Sequence, residues 1–453
     1  MAGGDIGGPR DPAEADGGLR RDIGFTGSAF LSFNGIVGAG IFALPAALHL
    51  QFGAFSPWLF PLFALLILLV VVPFAKLAAL FAGSGGPVAY CACFGPAASF
   101  QAGWLYYLAR LTALAANANV FATYAAAMWP PLAGPQGRAA MILGLVALVA
   151  WLNVVGVRRA IRVLNAVTVL KALPVVGLAL LGLAVAGPNL PLPTALPPIS
   201  GVEAAALVIL YAFVGFENSL VPAGETRSPQ RTIPRALVIT VLATAALYFF
   251  VQLAYVAVMP AGAAPAAPLA TLAEILIGPA GLVLLSVTAM LSVGGNFLGS
   301  MTSTPRVTFA LAEAGSLPRW FGRIDPRWRT PANSVLFMAG LTALLALSGN
   351  FVWLAIVSTL SRLFVYALSI VALPAARRGA GLRTGFGLGL LMAGGLAVCA
   401  WAAAQSTGAA WALLGGLLVI GLLLYALARR QAASSSAATV SSIQPPPSSR
   451  SPS

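Results

Sequence analysis

The sequence predicts an all-α protein that crosses a membrane many times, and three observations carry the prediction. Of 453 residues, 59% are apolar and 8% are charged, against roughly 25% charged in an ordinary soluble domain. So few charges cannot cover a soluble surface. Apolar runs of about 18 to 25 residues recur along nearly the whole chain, the length a helix needs to cross ~30 Å of hydrocarbon. Finally, the basic residues that give a net charge of +14 lie mostly in short clusters between those runs, such as Arg158/Arg159/Arg162, Arg227/Arg231/Arg235 and Arg377/Arg378/Arg383.

Taken in order, the first 23 residues are Gly-rich and polar. They hold no apolar core for a cleavable signal and are expected to form a disordered cytoplasmic tail. Twelve spans follow, at about 24–50, 54–82, 97–128, 139–157, 164–187, 201–222, 234–259, 270–303, 332–349, 351–375, 386–405 and 409–428. Residues 24–375 make a ten-span core and 376–430 add two further spans. The Ser- and Pro-rich stretch 431–453 has nothing to bury and is expected to be a second disordered tail. Twelve crossings return both termini to one side, which receives nearly all Lys and Arg; Arg138 is the exception. Because Lys and Arg are retained in the cytoplasm during insertion, both termini are placed there.

The same charge distribution excludes other classes. No basic amphipathic face accompanies the clusters, so they are topology signals and no nucleic acid partner is expected. Three cysteines are too few for a disulfide framework. Cys91-Ala-Cys93 and the single His49 make no metal site, and no cofactor is expected. A membrane enzyme needs His, Asp or Glu gathered at the interface, and a channel needs a filter or charged ring; neither pattern is present.

Two spans are unusual. Span one contains Asn34-Gly35-Ile36-Val37-Gly38-Ala39-Gly40-Ile41-Phe42, with clustered glycines at mid-depth. Span six contains Phe213-Val214-Gly215-Phe216-Glu217-Asn218, with glycine beside a carboxylate. The plain alternatives are a close-packing glycine face and a span that ends at Glu217. Their matching positions at the start of two five-span halves favour paired broken helices instead. Unwound backbone is tolerated in a membrane only where it is buried in protein or lines a wet cavity. Half-helix N-termini suit a carboxylate and opposing carbonyls suit a cation, so such a site is complementary to a zwitterion.

At these residues the chain resembles the amino acid–polyamine–organocation transporter superfamily. Gly38-Ala39-Gly40-Ile41-Phe42 with Pro45 resembles the family's first-helix signature. Gly215-Phe216-Glu217 through Glu225-Thr226-Arg227-Ser228-Pro229, and Ser303-Thr304-Pro305-Arg306 through Arg329-Thr330-Pro331, resemble its later motifs. The resemblance implies a five-plus-five inverted repeat with two added helices and a substrate held between spans one, three, six, eight and ten. Carried over by position, it places the substrate carboxylate at the amides around Gly38, Ala39 and Gly40. The substrate ammonium falls at the carbonyls of Ile36, Phe213 and Val214, beside Gly215, with Tyr211 as an aromatic gate.

Ionisable groups at membrane depth cost several kcal/mol and are functional candidates. Lys171 in span five is either a snorkelling side chain or, as the resemblance implies, the proton-coupling group against the unwound carbonyls of span one. Glu217 is either a second proton-handling group or a structural hydrogen-bond acceptor. Arg110 and Arg362 are expected to be structurally paired or to face the cytoplasm; an Arg110 facing the cavity would repel a cationic substrate. The expected function is amino acid transport across the plasma membrane by proton symport, with exchange on the same fold as the alternative.

Overall fold

Every regular element among the described residues is helical. The structure is a computed structural model that describes residues 23–81, 86–155, 160–188, 190–220 and 226–442, with the side chains of 160–170 and 432–442 left out. The clusters at Arg20/Arg21 and Arg158/Arg159, the loop at 221–225 and the N-terminal tail therefore lie outside the described residues.

Predicted span one is two helices, α1 (Phe25–Ile36) and α2 (Gly40–Phe52), separated by a short irregular segment. After it come α3 (Ser56–Ala78), the short α4 (Gly86–Tyr90), α5 (Pro96–Met128), α6 (Pro135–Val155) and α7 (Ala160–Ala186). Span six is α8 (Ile199–Tyr211), a run of turns, and a single 3-10 turn at Phe216–Ser219. Then follow α9 (Pro229–Val258), α10 (Pro268–Ile277), α11 (Pro279–Ser303) and α12 (Pro305–Glu313). The chain ends with α13 (Ala332–Ser348), α14 (Phe351–Gly379), α15 (Phe386–Ala404) and α16 (Gly408–Ser442). Among the described residues, eight helical stretches are long and apolar enough to cross a membrane, and shorter apolar helices at Pro268–Ile277 and Ala332–Ser348 accompany them.

Local sequence accounts for most boundaries. Proline stands in the first turn of α3, α5, α9, α10, α11 and α12, where its missing N–H has no intrahelical acceptor to lose. The Asn350 side chain accepts from Trp353 N–H at 2.9 Å and caps α14.

Two expectations differ from the structure. Span eight, expected to run unbroken over 270–303, is interrupted at Gly278, whose φ is +72°. The following Pro279 cannot continue a helix, so α10 ends and folds back beside the first turn of α11, within reach of Gly281. The stretch expected to be disordered after Arg430 is helical as far as Ser442; the remainder of that tail lies outside the described residues.

Two apolar clusters make up the interior. One gathers residues of α2, α3, α8 and α9 around Phe60, Phe63, Phe213 and Tyr248. The other gathers residues of α5, α6 and α13 around Tyr107, Ile142 and Met338. The end of α8 straddles them, because Phe213 belongs to the first cluster while Tyr211 and Val214 belong to the second. Ahead of α1, Ile23 pairs in parallel with Thr226, and Arg227 N–H donates to the Ile23 carbonyl at 2.8 Å. That contact ties the start of α1 to the segment leading into α9.

The interruptions of α1 and α8 meet backbone to backbone. A Cβ at Gly35 would lie 2.2 Å from the Gly215 carbonyl oxygen, and one at Gly215 would lie 2.3 Å from the Gly35 oxygen. Gly215 also has φ +107°, a conformation that side chains with a Cβ resist. Gly215→Ala is expected to lower stability by about 2–4 kcal/mol, combining strain with overpacking. Gly144→Ala, where nothing lies within 4 Å of the added carbon, should leave stability unchanged or raise it by up to about 1 kcal/mol. Thermal unfolding of the detergent-solubilised variants compares the two.

Candidate functional site

At the end of α1 the backbone stops making regular helix bonds. Val37 N–H still reaches the Phe33 carbonyl at 2.8 Å, but Gly38 N–H turns back to Ile36 at 2.8 Å. Helix α2 then restarts with Ala39 in the N-cap position and no side chain capping it. Among the described residues, the amides of Ala39, Gly40 and Ile41 have no backbone acceptor, as the first turn of any helix requires. Across from them, Phe213 N–H and Val214 N–H close tight turns onto Leu210 and Tyr211, at 2.9 and 3.4 Å. The carbonyls of Ala212, Phe213 and Val214 receive no backbone N–H among the described residues. Both ruptures border one cavity, which Gly38, Ala39, Gly40, Tyr211, Val214 and Gly215 line together with Ile36. Its open space is about 30 Å³, room for water and too little for an amino acid.

Of the residues anticipated to bind substrate, Phe213 is the one outside the cavity lining, its side chain packing against Phe60 and Tyr248. The Ile36 carbonyl borders the cavity but already accepts from Tyr248 Oη at 3.2 Å and from Gly38 N–H. Tyr211 lines the cavity, and its ring meets Phe351 edge-on with centroids 5.6 Å apart. Phe351 in turn borders a second cavity of about 320 Å³ that contains Asn119 and Arg138. The two rings thus stand between the spaces.

Lys171 lies behind the break, outside the cavity lining. Its ammonium donates to the Val37 carbonyl at 2.8 Å and to Asn34 Oδ1 at 2.7 Å. Ser292 Oγ donates to the same Val37 carbonyl at 3.4 Å. Helix α7 is thereby fastened to the backbone that α1 leaves unsatisfied.

Glu217 is fully engaged. Arg362 Nε donates to its Oε1 at 3.0 Å. Its Oε2 accepts from Gly215 N–H at 2.9 Å and from Tyr366 Oη at 3.1 Å. Arg362 also donates to the Ala109 carbonyl at 3.2 Å and to Ser358 Oγ. This ion pair satisfies the amide that the α8 break exposes. Arg110 and Arg362 both border the cavity, but Arg110 bonds to neutral side chains, Asn218 Oδ1 at 2.6 Å and Thr304 Oγ1 at 3.5 Å.

Sequence reasoning passed over the asparagines. Asn296 Nδ2 donates to the carbonyls of Asn34 and Gly35 at 3.1 and 3.3 Å, and its Oδ1 accepts from Asn117 Nδ2 at 3.1 Å. Tyr211 Oη reaches Asn117 Oδ1 at 3.5 Å. Asn296 of α11 thus answers carbonyls near the end of α1, and Asn117 of α5 holds Asn296 in place. The signal was present: an amide side chain inside an apolar span needs a hydrogen-bond partner, and in these spans the nearest unpaired backbone is at a break.

Residues 23–380 match the family described as amino acid permease. The chain belongs to that family. An uncharacterised transporter of Mycobacterium tuberculosis is 28% identical over 347 residues, covering 76% of this chain and 77% of the relative. A serine/threonine exchanger of Bacillus subtilis is 26% identical over 349 residues, covering 74% and 78%. An L-methionine/branched-chain amino acid exporter of Escherichia coli is 28% identical over 243 residues, covering 51% and 55%. This permease is therefore a multi-pass membrane protein of an amino acid transport family, and its interrupted helices lie within the matched region.

The Glu217–Arg362 pair gives a direct test of how the permease holds its break. Glu217→Gln leaves Arg362 buried without its counter-ion and is expected to lower stability by about 3–5 kcal/mol. Adding Arg362→Met removes the stranded charge and should recover most of that loss. Melting temperatures of the two single variants and the double variant provide the measurement.

Proposed function

We propose that this permease is a secondary active transporter that carries an amino acid across the plasma membrane by proton symport. The observation that carries the reading is the pairing of two broken backbones on one cavity: uncapped amides on one side and open carbonyls on the other. The amides of Ala39 and Gly40, at the positive end of α2, receive the substrate carboxylate. The carbonyls of Phe213 and Val214 receive the ammonium, while Ile36 contributes less because its oxygen is already used. Tyr211 with Phe351 closes the cavity toward the second space.

The architecture in this reading is twelve spans with a five-plus-five inverted repeat, two added helices and both termini in the cytoplasm. Alternating access comes from one packed cluster rocking against the other around the break of α8. Lys171 couples the cycle to protons. Charged, its ammonium holds the Val37 carbonyl and fixes α1 against α7; neutral, it holds that carbonyl weakly and α1 is freed to move. A proton that binds better in one arrangement than in the other shifts the balance between them. Glu217, already committed to Arg362, serves chiefly to hold the break and handles protons only when that pair opens.

A second reading, obligate exchange on the same fold, is favoured by the serine/threonine exchanger among the relatives. Reconstituted vesicles separate the two. Under an acid-outside gradient, empty vesicles are expected to accumulate labelled amino acid; an exchanger does so only when loaded with internal substrate. Lys171→Ala is expected to lose gradient-driven accumulation to the level of protein-free vesicles while retaining exchange. Retained gradient-driven uptake in that variant, with normal expression, would remove the coupling role.

A further inference from the structure

We propose that the cavity selects an amino acid bearing a second carboxylate, and that Arg110 is the residue that recognises it. The inference rests on the transporter reading above and concerns the charge of its substrate.

The argument is one of charge balance. Among the described residues the buried ionic groups are Lys171 (3% exposed), Arg110 (5%), Arg362 (2%) and Glu217 (2%). Glu217 is the single carboxylate of the four, and both its oxygens are engaged, one by Arg362 at 3.0 Å and the other by Gly215 N–H and Tyr366. Arg362 and Glu217 therefore neutralise each other. Lys171 is turned away from the cavity, toward Val37 and Asn34. Arg110 and Arg362 both stand on the cavity wall, and only Arg362 holds a carboxylate by hydrogen bond; among the described residues Arg110 bonds the neutral Asn218 and Thr304, lies 5.9 Å from the ring of Tyr106, and meets Glu217 through space alone.

A guanidinium has five N–H donors in a planar fork, and these partners do not use them all. Two guanidiniums on the cavity share one carboxylate; that excess of positive charge at membrane depth is costly, and an arriving anion removes the cost. A neutral zwitterion does not supply one. Its carboxylate is met by the α2 amides and its ammonium by the α8 carbonyls, so Arg110 stays unpaired. A cationic side chain adds repulsion. A side-chain carboxylate completes a two-pronged pair with the fork while the α-carboxylate and ammonium keep their places on the broken backbone.

Aspartate and asparagine, like glutamate and glutamine, have nearly the same shape and differ in this charge, so they isolate it. Competition against labelled L-glutamate and L-glutamine in vesicles containing the intact permease is the experiment. The acids are expected to compete at concentrations about 30-fold or more below those of their amides, the discrimination of a desolvated charge pair. Arg110→Gln should collapse that ratio and Arg110→Lys should keep part of it. Amides that compete as well as the acids overturn the inference and leave the transporter reading standing, as does an acid-to-amide ratio that survives Arg110→Gln. If no acid, amide or other common amino acid competes or is taken up, the transporter reading itself falls, and this inference with it.

Discussion

Two carbonyl-bearing glycines pressed against each other hold this protein's functional architecture in place. Gly35 and Gly215 approach so closely that neither has space for a Cβ. Helix α1 and the turn that follows α8 touch there because neither glycine carries a Cβ. Everything around the contact answers the groups that the breaks release. Asn296 takes the carbonyls of Asn34 and Gly35, Lys171 and Ser292 take Val37, Tyr248 takes Ile36, and Glu217 takes the amide of Gly215. Of the groups left over, those of Ala39 and Gly40 at the start of α2 and of Val214 after α8 belong to residues that line the cavity. A polar site in an apolar interior is thus made from main chain, and the side chains around it decide which main-chain atoms stay open.

Much of the fold was legible in the sequence because a membrane allows few solutions. Long apolar runs must be helical where lipid surrounds them, and glycine clusters inside such runs stand out against the cost glycine carries in a helix. Such clusters mark the breaks near Gly38 and Gly215. Span eight shows where the approach fails. Apolar composition continues through Ile277-Gly278-Pro279, so a count based on hydropathy runs across a junction that the Gly–Pro pair cuts.

The candidate site was legible in its backbone and opaque in its side chains. The glycines marked where amides and carbonyls come free, but which face of α5, α11 or α14 looks inward is not written in spans that are apolar all round. Hence the partners of Arg110 and Arg362 stayed open, and Asn117 and Asn296 went unmarked. Helix α5 illustrates the reason. Its buried residues surround the helix, from Tyr107 and Arg110 to Asn117 and Tyr124, so no polar face distinguishes solvent from core.

The short parallel pairing ahead of α1 has a mechanical consequence. Because Arg227 N–H holds the Ile23 carbonyl, the segment before α1 and the segment before α9 are stitched together by main-chain atoms, a link whose donor only a proline at 227 takes away. Helix α1 is therefore held at two places, by main chain ahead of α9 at its start and by the Gly35–Gly215 crossing near its end.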